Sequence, residues 1–203
     1  MTNKQTERRA QIERAAFEVL EEVGYKKASM LQIAKKAKAS NETLYSWYGN
    51  KQALFSSLIA ANAQIVEDTL RTSISKDSDP EVSLFNLGQL LLQFTTTEKA
   101  ITINRAAVAD VKETGLLAGA IEESGRQIMM RLIEALMSKL ETSGDFSFDE
   151  GPAAAAREFT GLLIGELQIQ QALGSLPSLD ADAIEQRARR TCTLFGRLYR
   201  RQQ

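Results

Sequence analysis

Between Val23 and Phe55 the sequence carries six lysines and a single acid, Glu42. Within that stretch Asn41, Glu42, Thr43, Tyr45 and Ser46 fall on the exposed face of one short helical segment. All five side chains can hydrogen-bond to base edges or phosphate oxygens. Lys51 follows at the start of a longer helix, where an ammonium and unpaired backbone N–H groups can hold one phosphate together. The chemistry on offer is non-covalent recognition of a polyanion. Other chemistries lack their residues. The absence of histidine removes the usual general base, metal ligand and pH switch. A single cysteine, Cys192, leaves no disulfide framework and no Cys-x-x-Cys site. No glycine loop shaped to cradle phosphate is present, and the serines and carboxylates sit in caps or on scattered faces. Neither an enzyme nor a metal or cofactor site is expected.

These residues need elements to position them. Ile12, Ala15, Ala16, Val19, Leu20 and Val23 recur at three- and four-residue spacing and predict a helix from about Thr6 to Val23, closed by Gly24 in a left-handed C′ conformation. Ser29 with Gln32 has capping-box spacing and opens a short helix whose inner face is Ile33, Ala34 and Ala37. Ser40 caps the next short helix, with Leu44 and Tyr48 turned inward, and Asn50 caps a long one from Lys51. Two short helices across a tight turn, Ser29–Ala37 and Ser40–Tyr48, form a helix-turn-helix. In that arrangement the first helix braces on the phosphate backbone and the second enters the major groove. Helical hairpins are common and most serve packing alone. A solvated surface backed by aromatic core residues accounts for Tyr48 and Trp47, and fits Tyr45 and Lys51 less well.

The rest of the chain reads as longer helices: about Lys51–Ser73, one opening at Asp79-Pro80-Glu81, then Glu98–Lys112, Leu116–Thr142, Pro152–Leu173 and Asp180–Arg201. No segment alternates with a period of two, so the expected fold is all-α: an N-terminal three-helix domain (1–52) and a C-terminal bundle of about six helices (53–203). Charge follows the same division. Through Phe55 there are 10 Lys and Arg against 6 Asp and Glu, and the remainder carries 15 against 20. A basic head on an acidic body fits nucleic-acid binding joined to another task. No apolar run approaches the ~18 residues of a membrane span and no signal-peptide core follows Met1, so a cytoplasmic protein without a membrane partner is expected.

The run Gly24-Tyr25, Ser29 through Ala37 and Ser40-Asn41-Glu42-Thr43-Leu44-Tyr45-Ser46-Trp47-Tyr48-Gly49-Asn50-Lys51-Gln52-Ala53-Leu54-Phe55 resembles the DNA-binding domain of the TetR/AcrR family of bacterial regulators. The resemblance implies an all-α homodimer, a small-molecule effector bound by the C-terminal domain, and dimerisation through the last two long helices. It assigns Ser29 and Lys51 to phosphate, and Thr43, Tyr45 and Ser46 to the recognition helix. With Lys38, Ser40, Asn41 and Glu42 these complete the expected DNA-contacting set. Two departures stand out. The turn usually reads Gly-Val-Ser and here reads Lys38-Ala39-Ser40, so a non-glycine residue must tolerate the turn. Asn41 and Glu42 replace residues that are frequently small or basic. Glu42 repels phosphate, and either accepts from a cytosine N4 or simply favours the helix N-terminus.

The C-terminal part resembles the AefR-like branch of the family around Arg105–Gly125. There Arg105, beside Asn104 in an otherwise apolar helix, needs a carboxylate, an acidic effector or a wet cavity opposite it. Phe94 and Met129 are candidates to line an apolar effector cavity, or equally to fill core. Thr95-Thr96-Thr97 is placed to cap the helix from Glu98. For the dimer seam, Gly161 and Gly165 would allow close approach, with Leu194, Phe195 and Leu198 as an apolar stripe. The expected function is a ligand-responsive regulator, a repressor released from a near-palindromic double-stranded operator by its effector. An activator of the same family and a helical protein-interaction adaptor are the alternatives, and salt-dependent DNA binding separates the adaptor from the rest.

Overall fold

Helix α1 (Asn3–Lys27) buries the stripe its periodicity predicts: Ile12, Ala15, Ala16, Val19 and Leu20 are all in the core. Gly24 interrupts it at φ 72, ψ 166. The positive φ is as expected, but ψ is extended rather than left-handed helical, a region open essentially to glycine alone. Helix α2 (Met30–Lys36) starts at Ser29, whose Oγ accepts from the Gln32 amide at 3.3 Å. The Ser29 hydroxyl also donates to Gln32 Oε1 at 2.8 Å, a variant of the capping box in which the two side chains bond each other. Helix α3 (Asn41–Tyr48) starts at Ser40, whose Oγ accepts from the Thr43 amide at 3.0 Å. Asn50 Oδ1 accepts from the Ala53 amide at 2.7 Å and caps α4 (Lys51–Lys76).

The computed structural model describes residues 3–76 and 79–201, and these divide into two units. The first unit comprises Met1–Ala63 and Thr102–Ser124. It holds α1 to α3, the first half of α4, most of α6 (Glu98–Asp110) and α7 (Leu116–Ile121). Ile12, Ala16, Ile33, Leu44 and Leu54 form its centre, joined by Ile103, Ala106, Ala107 and Leu117. The unit therefore runs past the division expected at residue 52 and takes in a segment from much later in the chain.

The second unit comprises Gln64–Ile101 and Gly125–Gln203. It contains α5 (Pro80–Thr95), α8 (Gln127–Thr142), α9 (Pro152–Ile164), α10 (Leu167–Leu173) and α11 (Ala181–Tyr199) around Leu87, Leu92, Ile133, Phe159 and Phe195. Phe195 is the hub of an aromatic cluster, with ring centroids 5.5 Å from Phe159, 5.8 Å from Phe148, 6.2 Å from Phe146 and 4.9 Å from Tyr199. Thr97 Oγ1 caps α6 by accepting from the Ala100 amide at 3.1 Å, as the threonine run suggests.

Two expected helices are broken. A single helix over Pro152–Leu173 is interrupted at Gly165, with φ 49 and ψ −126. Arg187 of α11 holds the break open by donating to the Leu163 and Ile164 carbonyls, and its Nη2 lies 3.2 Å from where a Cβ on Gly165 would stand. The helix expected over Leu116–Thr142 is divided by a π-helical turn at Glu122–Arg126. Among the described residues there is no strand, only an isolated bridge between Phe146 and Arg200, and the fold is all-α.

Candidate nucleic-acid interface

The short helix α3 is held on three sides of its own sequence. Leu44 is fully buried, and Trp47 and Tyr48 pack half-buried against the first unit's core. Asn41, Glu42, Tyr45 and Ser46 are exposed, Tyr45 to 50%. Thr43 is half-buried, its hydroxyl 2.7 Å from Ser40 Oγ, so both belong to the cap that fixes where the helix begins. Ser29 is exposed at the corresponding end of α2. The chain thus presents one row of uncommitted hydrogen-bonding side chains on a helix whose start and inner face are fixed.

The turn between α2 and α3 is strained at the position where the resemblance leads one to expect glycine. Lys38 has φ 50 and is the one non-glycine residue at positive φ among those described. For an L-residue this conformation costs about 1–2 kcal/mol. Arg8 of α1 offsets part of that cost, donating to the Ala37 carbonyl at 3.2 Å and to the Lys38 carbonyl. Nothing local marks Arg8 for this task, because its partners lie about thirty residues on. Arg9 stacks over Trp47 at 5.9 Å, a second tie between α1 and α3. Lys36, expected only as part of the basic patch, is paired with Glu18 and Glu22, which raise its pKa.

Lys51 is half-buried at the first turn of α4. Its ammonium donates to the Tyr25 carbonyl at 3.0 Å and lies 4.4 Å above the Tyr25 ring. A cation at a helix N-terminus opposes the helix dipole, and the carbonyl and ring supply the compensating contacts. One of three ammonium protons is thereby used, leaving two for an anion. Tyr25 is the residue that sequence reasoning missed here. Its hydroxyl and Asp110 Oδ1 are both buried, and the Asp110 carboxylate is near enough to act on the phenol. Burial and the Asp110 carboxylate together raise the phenol's pKa.

The remaining candidates separate. Arg105 is exposed, so the argument that a buried guanidinium demands an acidic partner loses its premise. The charged group inside the apolar stripe of α6 is Asp110, fully buried one repeat beyond Ile103. Its Oδ2 accepts from the Thr114 hydroxyl at 2.7 Å and the Leu117 amide at 3.2 Å. Asn104 and Arg105 belong to the first unit, whereas Phe94 and Met129 pack half-buried on the core of the second. An apolar depression of about 220 Å³, counted to its mouth, does lie beside α6. Phe17, Leu20, Phe55 and Ile103 line it, with none of the four nominated effector residues. That space includes open solvent, and the enclosed part is about 10 Å³, room for no more than a water molecule. Of the seam candidates, Gly161, Leu194 and Leu198 are partly or fully exposed. Phe195 is buried in the core of the second unit and so offers no surface to a seam, and Gly165 serves the break between α9 and α10. Among the described residues no helix is long and apolar enough to cross a membrane, and no group of three or more His, Cys, Asp or Glu is placed to hold a metal.

Residues 12–58 match the family model described as bacterial regulatory proteins of the tetR family. Residues 82–201 match that of the AefR-like transcriptional repressor C-terminal domain. Comparison with curated protein sequences gives no match. Among solved structures, a protein of Mesorhizobium loti assigned to the TetR family is 23% identical, with TM-score 0.84 over 99% of this chain and 100% of its own. The flavonoid-responsive regulator FrrA is 26% identical, with TM-score 0.71 over 98% and 100%. The Bacillus subtilis regulator FadR in complex with stearoyl-CoA is 16% identical, with TM-score 0.74 over 92% and 96%.

Proposed function

Because this chain belongs to the TetR family, as a DNA-binding transcriptional regulator with an AefR-like C-terminal domain, we propose that it is a repressor released from its operator by a small molecule. The observation that carries the reading is the exposed row Asn41, Glu42, Tyr45 and Ser46 on a helix with a fixed start, next to the half-committed ammonium of Lys51. A homodimer sets two such helices into successive major grooves of a near-palindromic site. Its seam uses Leu194, Leu198 and Gly161, extended by Ile169 and Leu173, which are 57% and 76% exposed. Effector contacts fall to Phe94 and Met129 on the second unit, and effector binding shifts the population away from the DNA-competent spacing. The neighbours that respond to a flavonoid or bind stearoyl-CoA support a small organic effector of that general kind.

Selection of bound sequences from a random duplex pool, followed by affinity measurements across a salt series, tests the reading. The expected result is a near-palindromic site and steep salt dependence. Lys51→Ala should reduce the salt slope by about one unit, as for a lost phosphate contact. An unenriched pool with salt-independent weak binding would favour an adaptor and overturn the proposal.

A further inference from the structure

Glu42 is the one acid in a stretch of six lysines, and its structural work is limited to a negative charge in the first turn of α3. It enters no hydrogen bond or ion pair among the described residues, and it is exposed at the second position of α3. At about 100° per residue, Glu42 lies about 160° around the helix from the buried Leu44. Ser46, four residues on, shares that ridge. A helix seated in the major groove by its outer face directs this ridge at the groove floor, with the phosphate walls to either side. An acid there meets base edges first.

The base edges sort themselves by charge. Guanine shows only acceptors in the major groove, and thymine an acceptor and a methyl group, so a carboxylate gains nothing from either. Adenine offers its N6 amino group, but N7 lies beside it and repels a second oxygen. Cytosine offers the N4 amino group without an adjacent acceptor of its own, and an acidic side chain pairs with it. Resting on the reading of α3 as the groove-inserted helix, we infer that Glu42 is a specificity-determining residue that selects cytosine at one fixed position of each half-site. The flanking lysines supply sequence-independent attraction, and Glu42 converts part of that attraction into discrimination by repelling the acceptor edge of a guanine or thymine standing where the cytosine should be.

The test runs the full-length wild type, Glu42→Ala and Glu42→Gln through the same random-pool selection. Gel-shift titrations then compare the selected site with one in which the invariant cytosine is replaced by thymine. Circular dichroism of the variants checks that α3 still folds. For the wild type, the replacement should weaken binding by about tenfold or more, the range of a lost base contact. For Glu42→Ala the same replacement should change affinity by less than about threefold, with half-site spacing and other positions unchanged. Glu42→Gln should shift the preference toward adenine. A wild-type site without a fixed cytosine, or full discrimination retained in Glu42→Ala, would overturn the inference while leaving the regulator reading intact. Uniformly tighter binding by Glu42→Ala on all sequences would also overturn it, reducing Glu42 to an electrostatic brake. An unenriched wild-type pool would fell both.

Discussion

Replacing Lys38 by glycine should stabilise the helix-turn-helix while weakening its hold on DNA. Lys38 sits at φ 50, where an L-residue costs about 1–2 kcal/mol and glycine almost nothing. Glycine returns about 0.5–1 kcal/mol of that through the greater freedom of the unfolded chain. The net gain is then about 0.5–1 kcal/mol. Trp47 is the only tryptophan, half-buried in the same unit beneath Arg9, so its fluorescence reports unfolding of this unit. With a urea dependence of about 1–3 kcal/mol per molar, the midpoint should rise by a few tenths of a molar. Lys38→Ala is the control. It removes the same positive charge near Arg8 but keeps the backbone penalty, so it should give no gain. Both variants should lose DNA affinity equally, since both lack the exposed ammonium. A midpoint unchanged in Lys38→Gly, or raised as much in Lys38→Ala, would refute the backbone argument and assign the effect to charge.

Arg8→Met keeps the aliphatic stem but leaves the Ala37 and Lys38 carbonyls without their donor. It should lower stability by about 1–2 kcal/mol by the Trp47 assay and weaken DNA binding without changing its salt slope. Phe195→Ala empties the centre of the aromatic cluster and should cost about 3–5 kcal/mol, read by thermal melting of the helical signal. Burial first, and Glu81 second, push the Cys192 thiol up to about 11. Its alkylation in the native protein should therefore be slow at pH 8 and rise about tenfold per pH unit toward that value. Because the folded value is the higher one, the thiol's contribution to stability is intact below its ordinary value and fades as pH rises toward 11. Cys192→Ala should flatten that alkaline decline.

What the sequence discloses here is what is decided locally. The caps at Ser29, Ser40 and Asn50 and the positive φ of Gly24 depend on residues within a turn of one another, and all are legible in the order of residues. The turn at Lys38 is disclosed only through the family resemblance, as a position where glycine is usual and this chain carries lysine. Contacts between distant segments are not. Arg8 on the turn carbonyls and Lys51 on Tyr25 depend on how α1 lies across its neighbours. The break at Gly165 depends on Arg187, twenty-two residues later, so the pair Gly161 and Gly165 looks like a smooth surface until the capping guanidinium is in view. Arg105 misled for a different reason. It stands among apolar residues in sequence, but the buried face of α6 runs through Ile103, Ala106, Ala107 and Asp110, and Arg105 lies off that line.

The contribution of α6 and α7 to the first unit imposes an order on its birth. Ile12, Ile33, Leu44 and Leu54 leave the ribosome early, yet Ile103, Ala106 and Leu117, which finish their core, follow about 50 residues after Ala63. At about 5–20 residues per second, that is an interval of several seconds in which Leu58, Ile59 and Phe55 lack part of their cover. The helix-turn-helix is thus made well before the segment that completes its core, and that segment in turn precedes α8 to α11 of the second unit. In that interval the basic patch is carried on a core still short of Ile103, Ala106 and Leu117, and it is then that the first unit is most open to proteolysis and misfolding.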